Sequence, residues 1–216
     1  MKHPLNWLIA NAQMSLFRKI FGSKSSDAQN QIKSEERSKY MPDIELPVDE
    51  RFTINFKANG GKFLYCENQA EVNQNLQNII DENEWQEKTA LILDKRLAEK
   101  FNSFSLKATT KSSEADYFFT TCEYLIANDG SLLISSNQIA EKKLKNLPAH
   151  FVIFATTSQF VETISEGLRG IKDKNRDSIP TNITTIKHFK TTKEDDDFLS
   201  YGSSSKNLYL LLLEDL

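Results

Sequence analysis

Six consecutive residues near the end of the chain, Leu208, Tyr209, Leu210, Leu211, Leu212 and Leu213, form an unbroken apolar run. The run is far short of the ~20 residues that cross a bilayer. A strand with one face in water alternates apolar and polar residues, and this one does not. It reads instead as a strand covered on both faces, the environment of a central strand in a parallel sheet. Such a strand needs layers above and below it. With 216 residues and 39% hydrophobic content, the chain can supply them without disulfides or metals as staples.

The rest of the chain alternates between strand and helix patterns. Pro42 and Pro47 mark an extended approach, and Asp49 is placed to cap a helix over 50–58 that carries Phe52 and Phe56. Asn59, Gly60 and Gly61 end that helix. A strand over 62–67 (KFLYCE) follows, then a helix over 69–83 with Val72, Leu76, Ile79 and Ile80 on one face. A short strand over 89–93 (TALIL) precedes a helix over 95–101. Segments 117–121 and 132–136 are expected to be strands meeting across a compact loop, with a helical turn over 123–127 and the hairpin signal Asn128-Asp129-Gly130. A strand over 151–155 (FVIFA) leads to a helix started by Ser158, with Phe160, Val161, Ile164 and Leu168 as its apolar stripe. Strands over 183–186 and 209–213 complete the order. The pattern predicts an α/β fold, one domain with a central, mostly parallel sheet and flanking helices.

Charge divides the chain unevenly. Lys and Arg number 27 against 30 Asp and Glu, a net −3, yet residues 1–40 hold seven basic and three acidic residues and the remainder therefore carries −7. We assign 1–47 to a basic tail and 48–216 to the folded domain. In the tail, Leu5, Leu8, Ile9, Ala12, Leu16 and Ile20 recur at helical spacing, and 23–39 has the polar composition of an unstructured linker. The apolar run over 7–10 is too short for a secretory signal, so a cytoplasmic location is expected. The near-neutral charge balance argues against general nucleic-acid binding. Cys66 and Cys122 are too few for a four-thiolate cluster, and His3, His150 and His188 lack metal-ligand spacing. No metal or cofactor is expected, and the standard nucleotide-loop and hydrolase-elbow motifs are absent.

Residues 115–131 (ADYFFTTCEYLIANDGS) resemble the central motif of the LUD domain family, the group that includes lactate utilization protein C, of the form A-D-x-x-I-T-x-A-D-x-A-I-A-E-T-G-T. Residues 147–153 (LPAHFVI) are similar to the family's L-P-x-x-H-I-V segment, and Gly60-Gly61 resembles the glycine pair before its first strand. Within the motif, Glu123 stands where the family tends to have Asp, Asn128 where it has Glu, Asp129 where it has Thr, and Ser131 keeps a hydroxyl. The late G-P-S-x-T-A-D-I run of the family is replaced by 186–192 (IKHFKTT). The resemblance implies a fold similar to the sugar-phosphate isomerase and coenzyme-A-transferase-like group. It also implies a place in lactate oxidation or related redox metabolism, beside iron–sulfur protein partners that this chain cannot replace.

Ligands of parallel α/β sheets bind beyond the carboxyl ends of the strands. The candidate catalytic residue is Glu123, as a general base or nucleophile. Asn128, Asp129, Gly130 and Ser131 are candidate ligand-binding residues for a small carboxylate or phosphate, the glycine allowing main-chain N–H groups to approach an anion. Gly202 and Ser203, in the small polar loop that ends at Lys206, are further candidates for holding an anion. The alternatives are a stand-alone enzyme acting on a phosphorylated or thioester substrate, and a non-catalytic scaffold. Cys122 is expected to be a small buried hydrophobe rather than a nucleophile.

Overall fold

The computed structural model describes residues 46–104, 106–189 and 206–215. The tail helix and linker expected within 1–45, the charged run 193–197, and Gly202 and Ser203 lie outside these residues. In chain order the elements are α1 (Val48–Ala58), β1 (Lys62–Cys66), α2 (Gln69–Glu82), β2 (Thr89–Leu91), α3 (Lys95–Lys100), β3 (Lys107–Thr109), β4 (Tyr117–Thr121), β5 (Tyr124–Ile126), β6 (Ser131–Ile134), α4 (Ser136–Ile139), β7 (His150–Thr156), β8 (Phe160–Val161), α5 (Ile164–Lys174), β9 (Thr184–Ile186) and β10 (Asn207–Leu213). Six strands form one sheet in the order β1-β10-β7-β4-β2-β3, with every pairing parallel.

The apolar run is β10, seated between β1 and β7. Its side chains alternate between two cores: Leu208, Leu210 and Leu212 face one, Tyr209 and Leu211 the other. On the second face lie Val72, Leu76, Ile79 and Ile80 of α2 and Leu97 of α3. On the first lie Phe52 and Phe56 of α1 and the inner face of a second sheet, ordered β8-β5-β6-β9. A third cluster, Tyr124, Ile126, Leu133 and Ile171, packs the outer face of that small sheet against α5. Helix starts follow local chemistry: Asn68 caps α2, Asp94 caps α3 and Thr163 caps α5, each accepting a backbone N–H with its side chain. Among the described residues no helix is long and apolar enough to cross a membrane.

Four local expectations are corrected. Segment 117–121 pairs with β7 and β2, not with 132–136, so the two belong to different sheets. The helical turn expected over 123–127 is the strand β5, because Leu125 faces the inner core while Tyr124 and Ile126 face α5, which is strand alternation. The helix expected from Ser158 begins at Ile164: Phe160 and Val161 pair with Leu125 and Ile126 as β8. Its stripe shifts accordingly, with Ile164 and Leu168 exposed and Gly167 and Ile171 buried. A Cβ at Gly167 would stand 2.9 Å from Leu133 Cδ2 and one at Gly170 2.2 Å from Tyr124 Oη, so these glycines set how closely the helix seats. Last, α1 begins after Pro47, which leaves Asp49 in the first turn, where it favours the helix dipole without capping.

Candidate functional site

The carboxyl ends of β2, β4 and β7 open into a cleft of about 910 Å³. The chain turns there after each strand, and each turn contributes to the wall: Leu93 and Asp94 after β2, Cys122 and Glu123 after β4, Gln159 after β7. The start of α4 adds Asn137 and the end of α5 adds Lys174 and Asn175.

Glu123 is half-buried in this wall. Its Oε1 accepts from Ser135 Oγ at 2.6 Å and Asn137 Nδ2 at 2.9 Å, both presented by the first turn of α4 and its cap. Its backbone N–H donates to Leu133 O at 2.8 Å. Gln159 holds the same residue from the opposite side, its Nε2 donating to Cys122 O at 2.6 Å and Glu123 O at 3.2 Å. Gln159 is itself fixed, because its Oε1 accepts from Thr156 N at 2.8 Å. The turn that carries it is tied down by Asp215, whose carboxylate accepts from Thr157 Oγ1 (2.9 Å), Ser158 N (2.8 Å) and Ser158 Oγ (2.7 Å). Burial alone would raise the Asp215 pKa, but the Ser158 hydroxyl and N–H, joined by the Thr156 and Thr157 hydroxyls, bring it down to about 2.

The cleft is basic. Lys95, Arg96, Lys100 and Lys174 line it against Asp94 and Glu123. Arg96 is engaged by Asp94 at 3.0 and 3.2 Å, which holds the Asp94 carboxyl below its ordinary range and raises the guanidinium. Among the described residues Lys95, Lys100 and Lys174 make no ion pair with a carboxylate. Two of these ammonium groups lie over rings instead, Lys100 at 4.7 Å from Phe154 and Lys174 at 4.6 Å from Tyr124. Cys122 is buried, and burial reinforced by the Glu123 charge pushes its thiol pKa well up, the reverse of nucleophile activation.

The other candidate residues sit at the far end of β5. Asp129 Oδ1 accepts from Ser131 N at 3.0 Å and Ser131 Oγ at 2.6 Å, and its Oδ2 lies 3.6 Å from Lys187 Nζ. Asn55 of α1 donates to Ala127 O and Asn128 O, and Asn59 donates to Asp129 O. Gly130 has φ +68°, and a Cβ there would stand 2.3 Å from Phe56 N. None of Asn128, Asp129, Gly130 and Ser131 lines the cleft, so the structure does not bring them together with Glu123. Lys206 is buried at the amino end of β10, donating to Leu147 O and Pro148 O, and burial brings its pKa down to about 8. His150 lies at the same end of the sheet, with Nδ1 at 3.0 Å from Asn207 Nδ2, and burial lowers its pKa. No group of three or more His, Cys, Asp or Glu suited to a metal occurs among the described residues.

Sequence reasoning missed Ser135, Asn137, Gln159 and the cations of the wall. The S-x-x-Q spacing of Ser135 and Gln138 was a readable capping box, and it would have marked the α4 start that holds Glu123. The basic stretch 95–100 directly after a short apolar strand was a second signal, since such turns fall at the carboxyl edge of a parallel sheet.

The sequence model of the LUD domain matches residues 50–213. A crystal structure of a DUF162 family protein from Deinococcus radiodurans is similar, with a TM-score of 0.54 at 12% identity, covering 78% of this chain and 96% of that one. At that identity the likeness is one of fold. No curated protein matches the chain.

Proposed function

The chain belongs to the LUD domain family, and from that premise we propose that it binds a small organic anion, a carboxylate or phosphate, in the cleft at the carboxyl end of the sheet, with Glu123 as the reactive carboxylate. The observation that carries this reading is three lysines lining one cleft with no carboxylate partner among the described residues. These ammonium groups are exposed, and cations gathered along one concave surface raise a common positive potential that attracts anions.

Among the described residues both hydrogen bonds to the Glu123 carboxylate fall on Oε1, so Oε2 is the oxygen assigned to take a proton from a bound substrate or to attack it. The donors on Oε1 and the Gln159 clamp hold the group in one orientation before any ligand arrives. The family suggests the context: lactate utilization or related redox metabolism, as a cluster-free subunit whose iron–sulfur partners carry the electrons. The chain has two cysteines, Cys66 and Cys122, too few for a four-thiolate cluster, which supports that division of labour. Oε2, without a hydrogen-bond partner among the described residues, also favours a second reading, a stand-alone transferase or isomerase in which Glu123 attacks a phosphorylated or thioester substrate.

The test is thermal stability of the full chain with L-lactate, pyruvate, inorganic phosphate and a sugar phosphate. A ligand at 100 times its Kd adds about 2.7 kcal/mol of apparent stability. Glu123→Gln removes a negative charge and is expected to keep or tighten that binding, while Lys100→Ala and Lys174→Ala weaken it. Failure of every anion to stabilise the protein overturns the site. Unchanged growth on L-lactate after deletion overturns the pathway and leaves the site standing.

A further inference from the structure

The size and charge of the cleft say more about its ligand. We infer that the ligand is an organic diphosphate of nucleotide size, an inference that rests on the reading of the cleft as an anion site. A cleft of about 910 Å³ falls at the upper end of the ~300–1,000 Å³ of sites that enclose a drug-sized molecule. The six heavy atoms of L-lactate, each given the ~30 Å³ of a water molecule, fill only roughly a fifth of it.

Charge points the same way. Four basic side chains line the cleft against two carboxylates, so the wall carries an excess of two positive charges, which a monoanion leaves half unmatched. The cations are also distributed over two elements. Arg96 and Lys100 stand four residues apart on α3, one turn and about 6 Å along its axis, while Lys174 comes from the end of α5. Two linked phosphoryl groups offer more than one charge to these two sets, and a single carboxylate offers one. Arg96 is paired with Asp94 while the lysines have no carboxylate partner among the described residues, and lysine binds phosphate as a point charge that does not require a fixed fork geometry. Lys100 is held over the Phe154 ring, so its charge is positioned without being neutralised. The apolar side chains Leu93 and Leu97 give the organic body of the ligand a surface to lie on.

The test is calorimetric titration of the full chain, at one fixed salt concentration, with L-lactate, inorganic phosphate, inorganic pyrophosphate and ADP. The expected order has pyrophosphate about tenfold or more tighter than phosphate, with ADP at least as tight as pyrophosphate and L-lactate weakest. Lys100→Ala and Lys174→Ala are each expected to weaken ADP binding about tenfold and to reduce its salt dependence, and Lys100→Arg to restore most of the loss. Urea midpoints of the variants, expected unchanged, separate lost binding from lost folding. If L-lactate or phosphate binds as tightly as ADP, the diphosphate inference falls and the anion site stands. If none of the four binds, both fall. If ADP binds but neither lysine substitution weakens it, the ligand sits elsewhere and the inference is overturned.

Discussion

At one end of the β5–β6 hairpin, the side chains of Asp129 and Ser131 and the backbone carbonyls of Asn128 and Asp129 are bonded to the protein itself. At the other, Glu123 lines a cleft. The two ends are a few residues apart in sequence and rich in the same residue types. They differ in how much of their hydrogen-bonding capacity the fold consumes. The turn is clamped by Asn55 and Asn59 from α1 and closed on itself by Asp129 and Ser131. Among the described residues, the hydrogen bonds to Glu123 fall on its backbone and on Oε1. A cluster of Asn, Asp, Gly and Ser is therefore poor evidence of a site until the partners of its polar atoms are known.

Substitutions sharpen this contrast. Gly130→Ala has the largest expected effect, since the residue has φ +68° and the new Cβ would collide with the backbone of Asn55 and Phe56. A loss of about 3 kcal/mol or more is expected, seen as a lower urea midpoint at constant m-value. A loss under about 1 kcal/mol would show that the turn is not clamped. Asn55→Ala removes two donors from Ala127 O and Asn128 O and should cost about 1–2 kcal/mol in the same assay, leaving anion binding in the cleft intact. Weakened anion binding in that variant would break the separation between the two ends.

Asp215→Asn acts at the cleft end and has the smallest expected effect on stability, because the carboxylate is exposed. Its folded pKa of about 2 lies below the ordinary 3.8, so its contribution is present above about pH 4 and is lost as pH falls toward 2. The substitution should flatten that part of the acid denaturation curve and speed hydrogen exchange at the Ser158 amide. An unchanged curve would mean that Asp215 does not hold the turn that carries Gln159.

Much of the scaffold was legible in the sequence because it is written in local periodicity. The stripe of Val72, Leu76, Ile79 and Ile80 forms the buried face of α2, and the runs at 151–155 and 208–213 are central strands. The second sheet was not legible, because β5 and β8 are three and two residues long, and short apolar runs carry no period that separates strand from helix. Glu123 was singled out, and it does face the cleft. The lysines were not, for a different reason. Lys100 and Lys174 come from separate helices far apart in the chain, and in sequence they look like any solvated lysine. What distinguishes them is the lack of a carboxylate partner across space among the described residues, which no linear pattern records.

The placement of β10 between β1 and β7 has a consequence for how the protein is made. Lys62 of β1 meets Tyr209 of β10 across 147 residues of chain, so the sheet cannot close until nearly the whole domain has left the ribosome. Until then β1 and β7 each present an unpaired edge, and the edge of β7 carries Phe151, Val152, Ile153 and Phe154. Pairings of such long range fold slowly, and exposed apolar edges recruit one another in the meantime. Synthesis in cells is thus expected to depend on chaperones or on low temperature, and on β10 arriving as the last piece of the sheet.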